Sequence, residues 1–585
     1  MCGIFALINN TNVKLFNEDI SLNKTINDEF MKGKNRGPEF SILDVSYNNM
    51  ILGFHRLAIN GLNDESNQPL CVNNVVLICN GEIYNYKQLY ELMGVVPTTD
   101  SDCEVILHLY LKYGMEQTLI MIDGVFSFVL YDKQSNDTSQ HKLFVSRDPY
   151  GVRPLYHFKS TNLSNPFYGF SSELKSIHSF YNNSSSTIHQ FLPGTFSSFQ
   201  FTINQWIVEK ENTRYFTPTF SHNINFTAEK EEEALHTISD YLIQSVNKRC
   251  LTTERPIACL LSGGLDSSLI TALVLNCRAL NNLPSNIETY SIGLQGSVDL
   301  KCAKIVADYL GTTHTEIVVT EEEMFDIIPE LIKTIESYDT TTVRASIGNY
   351  LIGKYISTHS DAKVIFNGDG SDELFGGYLY MKKCVDDIEF DKETRRLLSD
   401  IYLFDVLRSD KSISSCGLEP RTPFLDKSFV NYVLSLPPSF RNNNCPNLTT
   451  VENHRVENHP VKNHRVEKIE KYILRKSFSE KYFKNYKGTQ ILPDEILWRT
   501  KEAFSDGVCA NSRSLYQILQ ERIAAKLNKD NNTTNYTQSI ETEKMYYKQI
   551  FNKIYPNSSH LLPYYWMPKY SNTNDPSART LDIYK

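Results

Sequence analysis

Residues Arg255–Leu275 have the sequence RPIACLLSGGLDSSLITALVL. A short apolar run, a Ser-Gly-Gly turn and apolar residues at helical spacing predict a strand, a turn and a helix. Backbone N–H groups at such a helix start bind anions, and glycines let phosphates approach closely. No lysine follows the glycines as in a Walker A loop, but Asp266 does, and carboxylates ligate Mg²⁺. The stretch predicts a phosphate site, with a simple packing turn as the alternative.

The segments that follow alternate in the same way. A β-α-β unit is predicted from ETYSIGLQ, DLKCAKIVADYLG and THTEIVV. A further strand, which runs into a polar loop, is predicted from AKVIFNGDG. This alternation predicts an α/β domain with a doubly wound parallel sheet. NGDGSDE, at Asn367–Glu373, falls at a strand's carboxyl end, where ligands of such sheets gather. Asp372 is a second Mg²⁺ candidate, and Lys471 in IEKYILR is a cation suited to neutralising phosphate charge.

The chain before this region has a different pattern. NVVLICNGEIYN, GVFSFVLYD and KLFVSRD are short runs rich in β-branched and aromatic residues, and SDCEVILHLYLKYG has helical spacing. They predict a layered α+β domain. We therefore expect an amino-terminal domain at 2–207, a linker at 208–234 and the α/β domain at 235–585.

A five-residue repeat begins at Val451 with the sequence VENHRVENHPVKNHRVEK. Its histidines, His454, His459 and His464, suggest a metal site. A five-residue step drifts around a helix, however, and Pro460 interrupts one, so a shared ligand face is disfavoured. We expect a surface insertion at about 443–466.

The composition restricts the function classes. A chain of 585 residues needs two or more domains, and its net charge of −9 gives no general footprint for nucleic acid or an anionic membrane. No apolar run approaches the roughly 20 residues of a membrane helix. The 12 cysteines lack the paired short spacing of disulfide or zinc frameworks, so we expect a reducing, cytoplasmic location.

The chain opens with MCGIFALI, which places a cysteine at position two. If the initiator methionine is removed, the α-amino group of Cys2 can take the proton of its own thiol. Asn80 and Gly81 offer a carboxamide and a backbone N–H for an oxyanion hole. Arg56 offers a fork for a carboxylate, and Asp102 offers an anion for an ammonium group. Together they predict a site that cleaves the side-chain amide of an amino acid.

Each of these residues also has a simpler interpretation. Cys2 could be an inert buried thiol, Arg56 a surface ion pair, the Asn80-Gly81 dipeptide a hairpin turn and Asp102 a helix cap. The ordered set CGIF, RGP, HRLAI, NGEIYN, SDCE and SRDPYGVRPLY nevertheless resembles the class II, or N-terminal nucleophile, glutamine amidotransferases over about 200 residues.

That resemblance implies an αββα fold in which Cys2 attacks the amide of glutamine, giving a thioester and ammonia. Asn80 and Gly81 would stabilise the oxyanion. The glutamine-binding residues implied are Arg56, Leu57, Ala58, Ile59, Asn60, Asn80, Gly81, Glu82 and Asp102.

The second half contains SGGLDS, which resembles the PP-loop of ATP pyrophosphatases. With SYDTTTVRAS, GYLY, RTPFLDK and WRTKEAFSDGV, residues 235–570 resemble the glutamine-hydrolysing asparagine synthetase family. The resemblance implies that aspartate and ATP give β-aspartyl-AMP, which channelled ammonia converts to asparagine. Members of this family often form homodimers, so the resemblance implies that a homodimer is one possible oligomeric state of this chain.

The resemblance also assigns residues in this half. The ATP site would comprise Leu260, Ser262, Gly263, Gly264, Asp266, Ser267, Ile292, Asn367 and Gly368. Thr341 and Arg344 would lie near aspartate, Asp266 and Asp372 would hold Mg²⁺, and Asp369 and Lys471 would be catalytic.

The chain departs from the family at two positions, since Asn367 and Asp369 stand where Ser and Glu are usual. The aspartate keeps the charge but is shorter by one methylene, about 1.5 Å of reach. Since catalysis depends on sub-ångström placement, this predicts a slower enzyme rather than a different reaction.

Three other functions stay open at this point. The chain could amidate a carboxylate other than aspartate, but the motif SYDTTTVRAS disfavours this. It could also be a synthetase that has lost its activity and serves in binding, but the retention of Cys2, Asp266 and Asp372 disfavours that. A simple glutaminase would leave more than half of the chain unused.

Overall fold

The protein is described by a computed structural model that covers residues 2–9, 20–47, 49–133, 140–160, 167–182, 184–202, 205–221, 228–442, 469–502, 507–509, 513–530 and 535–582. The predicted insertion at 443–466, with His454, His459 and His464, lies outside these residues. The metal-site and insertion hypotheses therefore stay sequence-based.

The amino-terminal region contains two antiparallel sheets. Their strands are β1 (Gly3–Asn9), β2 (Phe40–Tyr47), β3 (Met50–Arg56), β4 (Leu70–Val72), β5 (Val75–Ile83), β6 (Gly124–Asp132), β7 (Lys142–Arg147), β8 (Tyr156–Ser160), β9 (Phe167–Ser171), β10 (Ser186–Gln190), β11 (Thr195–Thr202) and β12 (Gln205–Arg214). The first sheet has the order β10-β8-β9-β1-β3-β2, and the second β12-β11-β7-β6-β5-β4.

The helices of this region are α1 (Ile20–Met31), α2 (Tyr86–Met93), α3 (Val105–Tyr113) and α4 (Met115–Met121). The two sheets pack face to face because strand residues alternate in direction. Ile4 and Ala6 of β1 join the core between the sheets, whereas Phe5 and Leu7 pack with Phe30 of α1 on the outer face. Helices α2 and α3 cover the other sheet. The predicted αββα layering is confirmed.

The remaining strands are β13 (Ile257–Leu260), β14 (Glu288–Leu294), β15 (Thr313–Val319), β16 (Val364–Phe366) and β17 (Glu419–Arg421). They form one sheet in the order β15-β14-β13-β16-β17, and every neighbouring pair is parallel. Cys259 packs on one face with Leu269, and Ala258 packs on the opposite face with Val343. Helices therefore cover both faces, and the doubly wound sheet is confirmed.

The helices after β12 are α5 (Ala228–Leu251), α6 (Leu265–Leu280), α7 (Val298–Leu310), α8 (Glu321–Asp326), α9 (Ile328–Ile335), α10 (Thr340–His359), α11 (Ser371–Phe375), α12 (Asp387–Asp400), α13 (Asp405–Ser414), α14 (Lys427–Ser435), α15 (Pro438–Arg441), α16 (Tyr472–Ser477), α17 (Asp494–Leu497), α18 (Leu515–Asp530) and α19 (Ile540–Ile554). None of the helices in the described ranges is long and apolar enough to span a membrane.

The structure corrects the expected boundaries of the linker. Strand β12 continues past residue 207 to Arg214, and α5 begins at Ala228, inside the predicted linker at 208–234. The end of β12 was missed because most of its residues are exposed and polar, which removes the alternation that marks a half-buried strand.

Candidate active sites

Cys2 lies immediately before β1, next to the segment that follows β3. Its Sγ lies 3.7 Å from the carbonyl oxygen of Leu57, and Nε of Arg36 donates to the carbonyl oxygen of Cys2 at 2.9 Å. Burial raises the pKa of the Cys2 thiol to about 11. Such a thiol is a weak nucleophile until a base takes its proton. The site therefore needs the base that the sequence assigns to the α-amino group of this residue.

Asn80 and Gly81 lie within β5 rather than in a hairpin turn. The hydroxyl of Ser172 accepts hydrogen bonds from the backbone N–H of Ile4, at 3.1 Å, and from Nδ2 of Asn80, at 3.4 Å. It thus ties the Cys2 strand to the predicted oxyanion donor. A Cβ at Gly81 would lie 2.6 Å from the carbonyl oxygen of Val125, so no side chain fits there. Ser172 was not found from the sequence.

Two buried acids lie beside this site. Nδ2 of Asn60 donates to Oε2 of Glu82 at 2.7 Å, and the N–H of Ile83 donates to Oδ2 of Asp102 at 2.6 Å. Burial raises the pKa of Asp102 to about 6 even though that hydrogen bond opposes it. Burial and the charge of Asp102 raise the pKa of Glu82 well above its usual range. Such a pair favours a cationic group nearby, as predicted for the ammonium of glutamine.

Arg56 ends β3 and holds the loop that follows. Nη1 donates to the carbonyl oxygen of Asn63 at 2.9 Å and to Oδ1 of Asn67 at 2.7 Å, and Nη2 donates to the carbonyl oxygen of Gly61. The guanidinium therefore shapes the loop that carries the buried residues Leu57, Ala58 and Ile59. Its predicted contact with a substrate carboxylate stays a prediction.

The same loop contacts the second domain. Nε of Arg255 donates to the carbonyl oxygen of Ala58 at 2.8 Å, and the N–H of Gly61 donates to Oε1 of Glu254 at 2.7 Å. Both partners immediately precede β13. The predicted glutamine loop is thus attached to the strand that leads into the phosphate turn.

A cavity opens at the carboxyl ends of β13, β14 and β16. It is lined by these predicted site residues: Leu260, Ser262, Gly264, Asp266, Ser267, Ile292, Thr341, Asn367, Gly368, Asp369, Asp372 and Lys471. The carboxyl edge of the sheet therefore brings these side chains together, as the order of strands and helices requires.

The carboxylates in this cavity face two ammonium groups. Nζ of Lys471 lies 2.5 Å from Oδ2 of Asp266 and 2.6 Å from Oδ1 of Asp372, and Nζ of Lys501 lies 2.6 Å from Oδ2 of Asp372. Burial would raise the pKa of Asp372, but the two lysines hold it below its usual range. Asp372 is therefore an anion at neutral pH.

The donor set fits Mg²⁺ bound together with phosphates. Asp266 and Asp372 contact one ammonium nitrogen, so they converge on one point. Among the described residues no three His, Cys, Asp or Glu side chains form a metal cluster. Two carboxylates completed by substrate phosphates and water are the usual Mg²⁺ arrangement.

Asp369 faces α13 from the opposite wall. Nη2 of Arg408 lies 3.3 Å from its Oδ1, and burial raises the pKa of Asp369 even though Arg408 lowers it. Nδ2 of the neighbouring Asn367 donates to Oγ of Ser409 at 2.7 Å. Both unusual residues of NGDGSDE are thus tied to one helix.

Two of the sequence-predicted residues do not line the cavity. The guanidinium of Arg344 binds Glu543, at 2.6 Å and 2.9 Å, and both oxygens of Asp575, at 2.8 Å each. It is buried, and its guanidinium nitrogens pair with these two carboxylates, which lie about 200 residues away in sequence. Its expected role near aspartate stays a prediction.

Gly263 serves packing rather than the cavity wall. It adopts φ +73°, and a Cβ there would lie 2.4 Å from the backbone nitrogen of Ala303 in α7. The glycine thus lets the phosphate turn approach α7 closely. The packing interpretation therefore applies to this glycine, and phosphate binding by its neighbours stays a prediction.

The segment 499–502 supplies cavity residues that the sequence did not single out. Besides Lys501, Arg499 lines the cavity, and its Nη1 donates to the carbonyl oxygen of Gly263 at 2.9 Å. The motif WRTKEAFSDGV was the available signal, since it places two cations two residues apart. Arg408 had no comparable signal.

Helix α13 contacts both sites. Asp405 and Arg408 line the cavity, while Oδ1 of Asp410 lies 2.7 Å from Nη1 of Arg36, which also holds Cys2. Nζ of Lys411 lies 2.5 Å from Oε2 of Glu336 and 3.2 Å from Glu173. These charged groups are buried between the domains.

Comparison with known proteins agrees with this arrangement. A family model for asparagine synthase matches residues 237–387 and 385–574, and one for the glutamine amidotransferase domain matches residues 1–231. Asparagine synthetase [glutamine-hydrolyzing] of Gallus gallus is 39% identical, and that of Homo sapiens is 38% identical; each alignment covers 100% of this chain and 99% of the relative. The corresponding protein of Rattus norvegicus is also 38% identical over the same shares.

Proposed function

Since the chain belongs to the asparagine synthetase family, we propose that it makes asparagine with ammonia taken from glutamine. The reaction is ATP + L-aspartate + L-glutamine + H₂O → AMP + diphosphate + L-asparagine + L-glutamate. The observation that carries the proposal is the presence, in one chain, of the Cys2 site and the lysine–carboxylate cavity, both in contact with α13.

The first half-reaction frees ammonia. The α-amino group of Cys2 takes the thiol proton, and the sulfur attacks the side-chain carbonyl carbon of glutamine. The carboxamide of Asn80 and the N–H of Gly81 stabilise the oxyanion. Ammonia leaves with the returned proton, and water hydrolyses the thioester to glutamate. Glu82 and Asp102 bind the substrate ammonium group, and Arg56 its carboxylate.

The second half-reaction activates aspartate. Its β-carboxylate attacks the α-phosphorus of ATP, and diphosphate leaves. Lys471 and Lys501 stabilise the charge that develops on the phosphates, and the turn at Ser262–Gly264 binds them through backbone N–H groups. Asp266 and Asp372 would hold Mg²⁺, which neutralises phosphate charge when bound. Thr341 lines the cavity, which supports its proposed role near aspartate.

Ammonia reaches this cavity through the interior in the proposed reaction. It attacks the carbonyl carbon of β-aspartyl-AMP, AMP leaves, and Asp369 accepts the surplus proton. The raised pKa of Asp369 suits that role, and Arg408 orients the carboxylate. We also propose a cytoplasmic location, small-molecule substrates only, and a homodimer.

The test is transfer of ¹⁵N from amide-labelled glutamine into asparagine, with aspartate and MgATP present. The Cys2→Ala variant should lose this transfer and still make asparagine from free ammonia. Cys71→Ala is the matched control because Cys71 is an exposed thiol. Full transfer by Cys2→Ala would contradict the nucleophile, and absence of labelled asparagine from the unaltered protein would contradict the function.

A further inference from the structure

Residues 575–581, which we call the strap, are anchored at both ends. The carboxylate of Asp575 binds Arg344 through two hydrogen bonds of 2.8 Å and accepts a third from Gln520 at 2.9 Å. At the other end Leu581 is buried and packs in a cluster with Tyr380 and Trp566. The segment is therefore fixed to the core on either side of its middle.

Arg579 lies between these anchors and contacts a residue that lines the nucleotide cavity. Its Nη2 donates to Oε1 of Glu502 at 2.8 Å, and its Nη1 donates to Oγ of Ser514 at 3.3 Å. Glu502 lines the cavity. The side chains of Arg579 and Glu502 are only 9% and 12% exposed, so solvent screens the ion pair weakly.

Glu502 is linked to the phosphate turn through Arg499. Its second oxygen, Oε2, lies 3.3 Å from Nη2 of Arg499. Arg499 in turn donates to Oδ1 of Asp299, at 3.0 Å, and to the carbonyl oxygen of Gly263, at 2.9 Å. A continuous series of charge-assisted hydrogen bonds therefore joins the strap to the turn.

We propose that Arg579 is a positioning residue of the nucleotide site and that the strap holds the wall segment 499–502 in place. Arg579 fixes one carboxylate oxygen of Glu502, so the other stays directed at Arg499. Arg499 then holds the turn through Gly263, and Lys501, between them, stays opposite Asp372. The ligand class is a nucleoside triphosphate, and naming it ATP rests on the proposed function.

Loss of Arg579 should weaken nucleotide binding without affecting the Cys2 site. Glu502 would then lose its hydrogen bond from Arg579, so its carboxylate would orient Arg499 less firmly. Couplings through such networks correspond to roughly 2- to 30-fold in affinity. We expect the Kd of MgATP to rise by that factor in Arg579→Ala, and glutamine hydrolysis to stay at the unaltered rate.

The experiment measures MgATP binding by calorimetry, together with glutamine hydrolysis and the thermal midpoint. Arg513→Ala is the matched control, because Arg513 pairs with glutamates, Glu321 and Glu521, that do not line the cavity. Arg579→Lys, which keeps the charge, should recover part of the affinity. If Arg579→Ala cannot be purified, the comparison of Arg579→Lys with Arg513→Ala decides the question.

A double-variant cycle tests the route through Glu502. If Arg579 acts through this carboxylate, Arg579→Ala should add little to the loss already caused by Glu502→Gln. Additive losses, unchanged affinity in Arg579→Ala, or an equal loss in Arg513→Ala would overturn the inference. Because the readout is MgATP binding, asparagine formation by the unaltered protein is a separate result, and either proposal can fail alone.

Discussion

Nζ of Lys501 lies 2.6 Å from Oδ2 of Asp372, and this pairing keeps both groups charged despite their burial. Asp372 raises the pKa of Lys501 above its usual range against the effect of burial. The ammonium group is therefore a permanent cation at the place where diphosphate would leave.

We expect Lys501→Met to lower the rate of aspartate-dependent ATP–pyrophosphate exchange by about 10²- to 10³-fold, because a cation that stabilises developing charge is removed. Lys487→Met, at an exposed position, is the control. Exchange within about twofold of the unaltered rate would remove Lys501 from the reaction.

Replacement of Arg344 should affect stability rather than aspartate recognition. Arg344→Met leaves Glu543 and Asp575 without their shared cation in a buried site. Breaking such a network costs about 3–5 kcal/mol in the free energy of unfolding. Urea denaturation measures the loss. The control is Arg278→Met, which replaces a half-buried arginine near the end of α6. A selective rise in the KM for aspartate in a protein of normal stability would restore the substrate-binding role.

Asp369 should act after aspartate is activated. Asp369→Asn removes the proton acceptor, so asparagine formation should fall by about 10²- to 10⁴-fold. ATP–pyrophosphate exchange should change far less, since that step does not need the proton. Asp369→Glu, which restores the family's usual side chain, should form asparagine at least as fast as the unaltered chain. Parallel losses of exchange and synthesis in Asp369→Asn would place the residue in the first step instead.

The glutamine site should depend on pH through Asp102. Burial raises the pKa of this carboxyl to about 6, so below that pH it gains a proton and no longer attracts the substrate ammonium group. We expect kcat/KM for glutamine hydrolysis to fall as the pH drops through about 6. In Asp102→Asn we expect a low kcat/KM for glutamine hydrolysis that no longer falls as the pH drops through about 6. An unchanged fall with pH in that variant would assign it to another group.

Local patterns predicted the frame of both sites. The runs NVVLICNGEIYN and GVFSFVLYD predict strands that the structure contains as β5 and β6, and the Ser-Gly-Gly stretch predicts a turn whose residues Ser262 and Gly264 line the cavity. These signals succeed because side-chain period and glycine conformation are properties of a few neighbouring residues.

The contacts that complete the sites could not be predicted in this way. Ser172 meets Asn80 across 92 positions, and Arg579 meets Glu502 across 77. No local pattern records such pairs, because the partners are brought together by the packing of distant elements. The carboxylate partners of Arg344 were not predicted for the same reason, since Glu543 and Asp575 lie far along the chain.

The charged groups between the domains have a practical consequence for dissection of the polypeptide. Arg36 depends on Asp410, and Lys411 on Glu173, across the boundary between the two halves. A fragment of either half made alone would expose charged side chains that have lost partners at a normally buried interface. This favours aggregation or loosening of the structure around Cys2. The glutamine-cleaving half is therefore best prepared by co-expression with its complement.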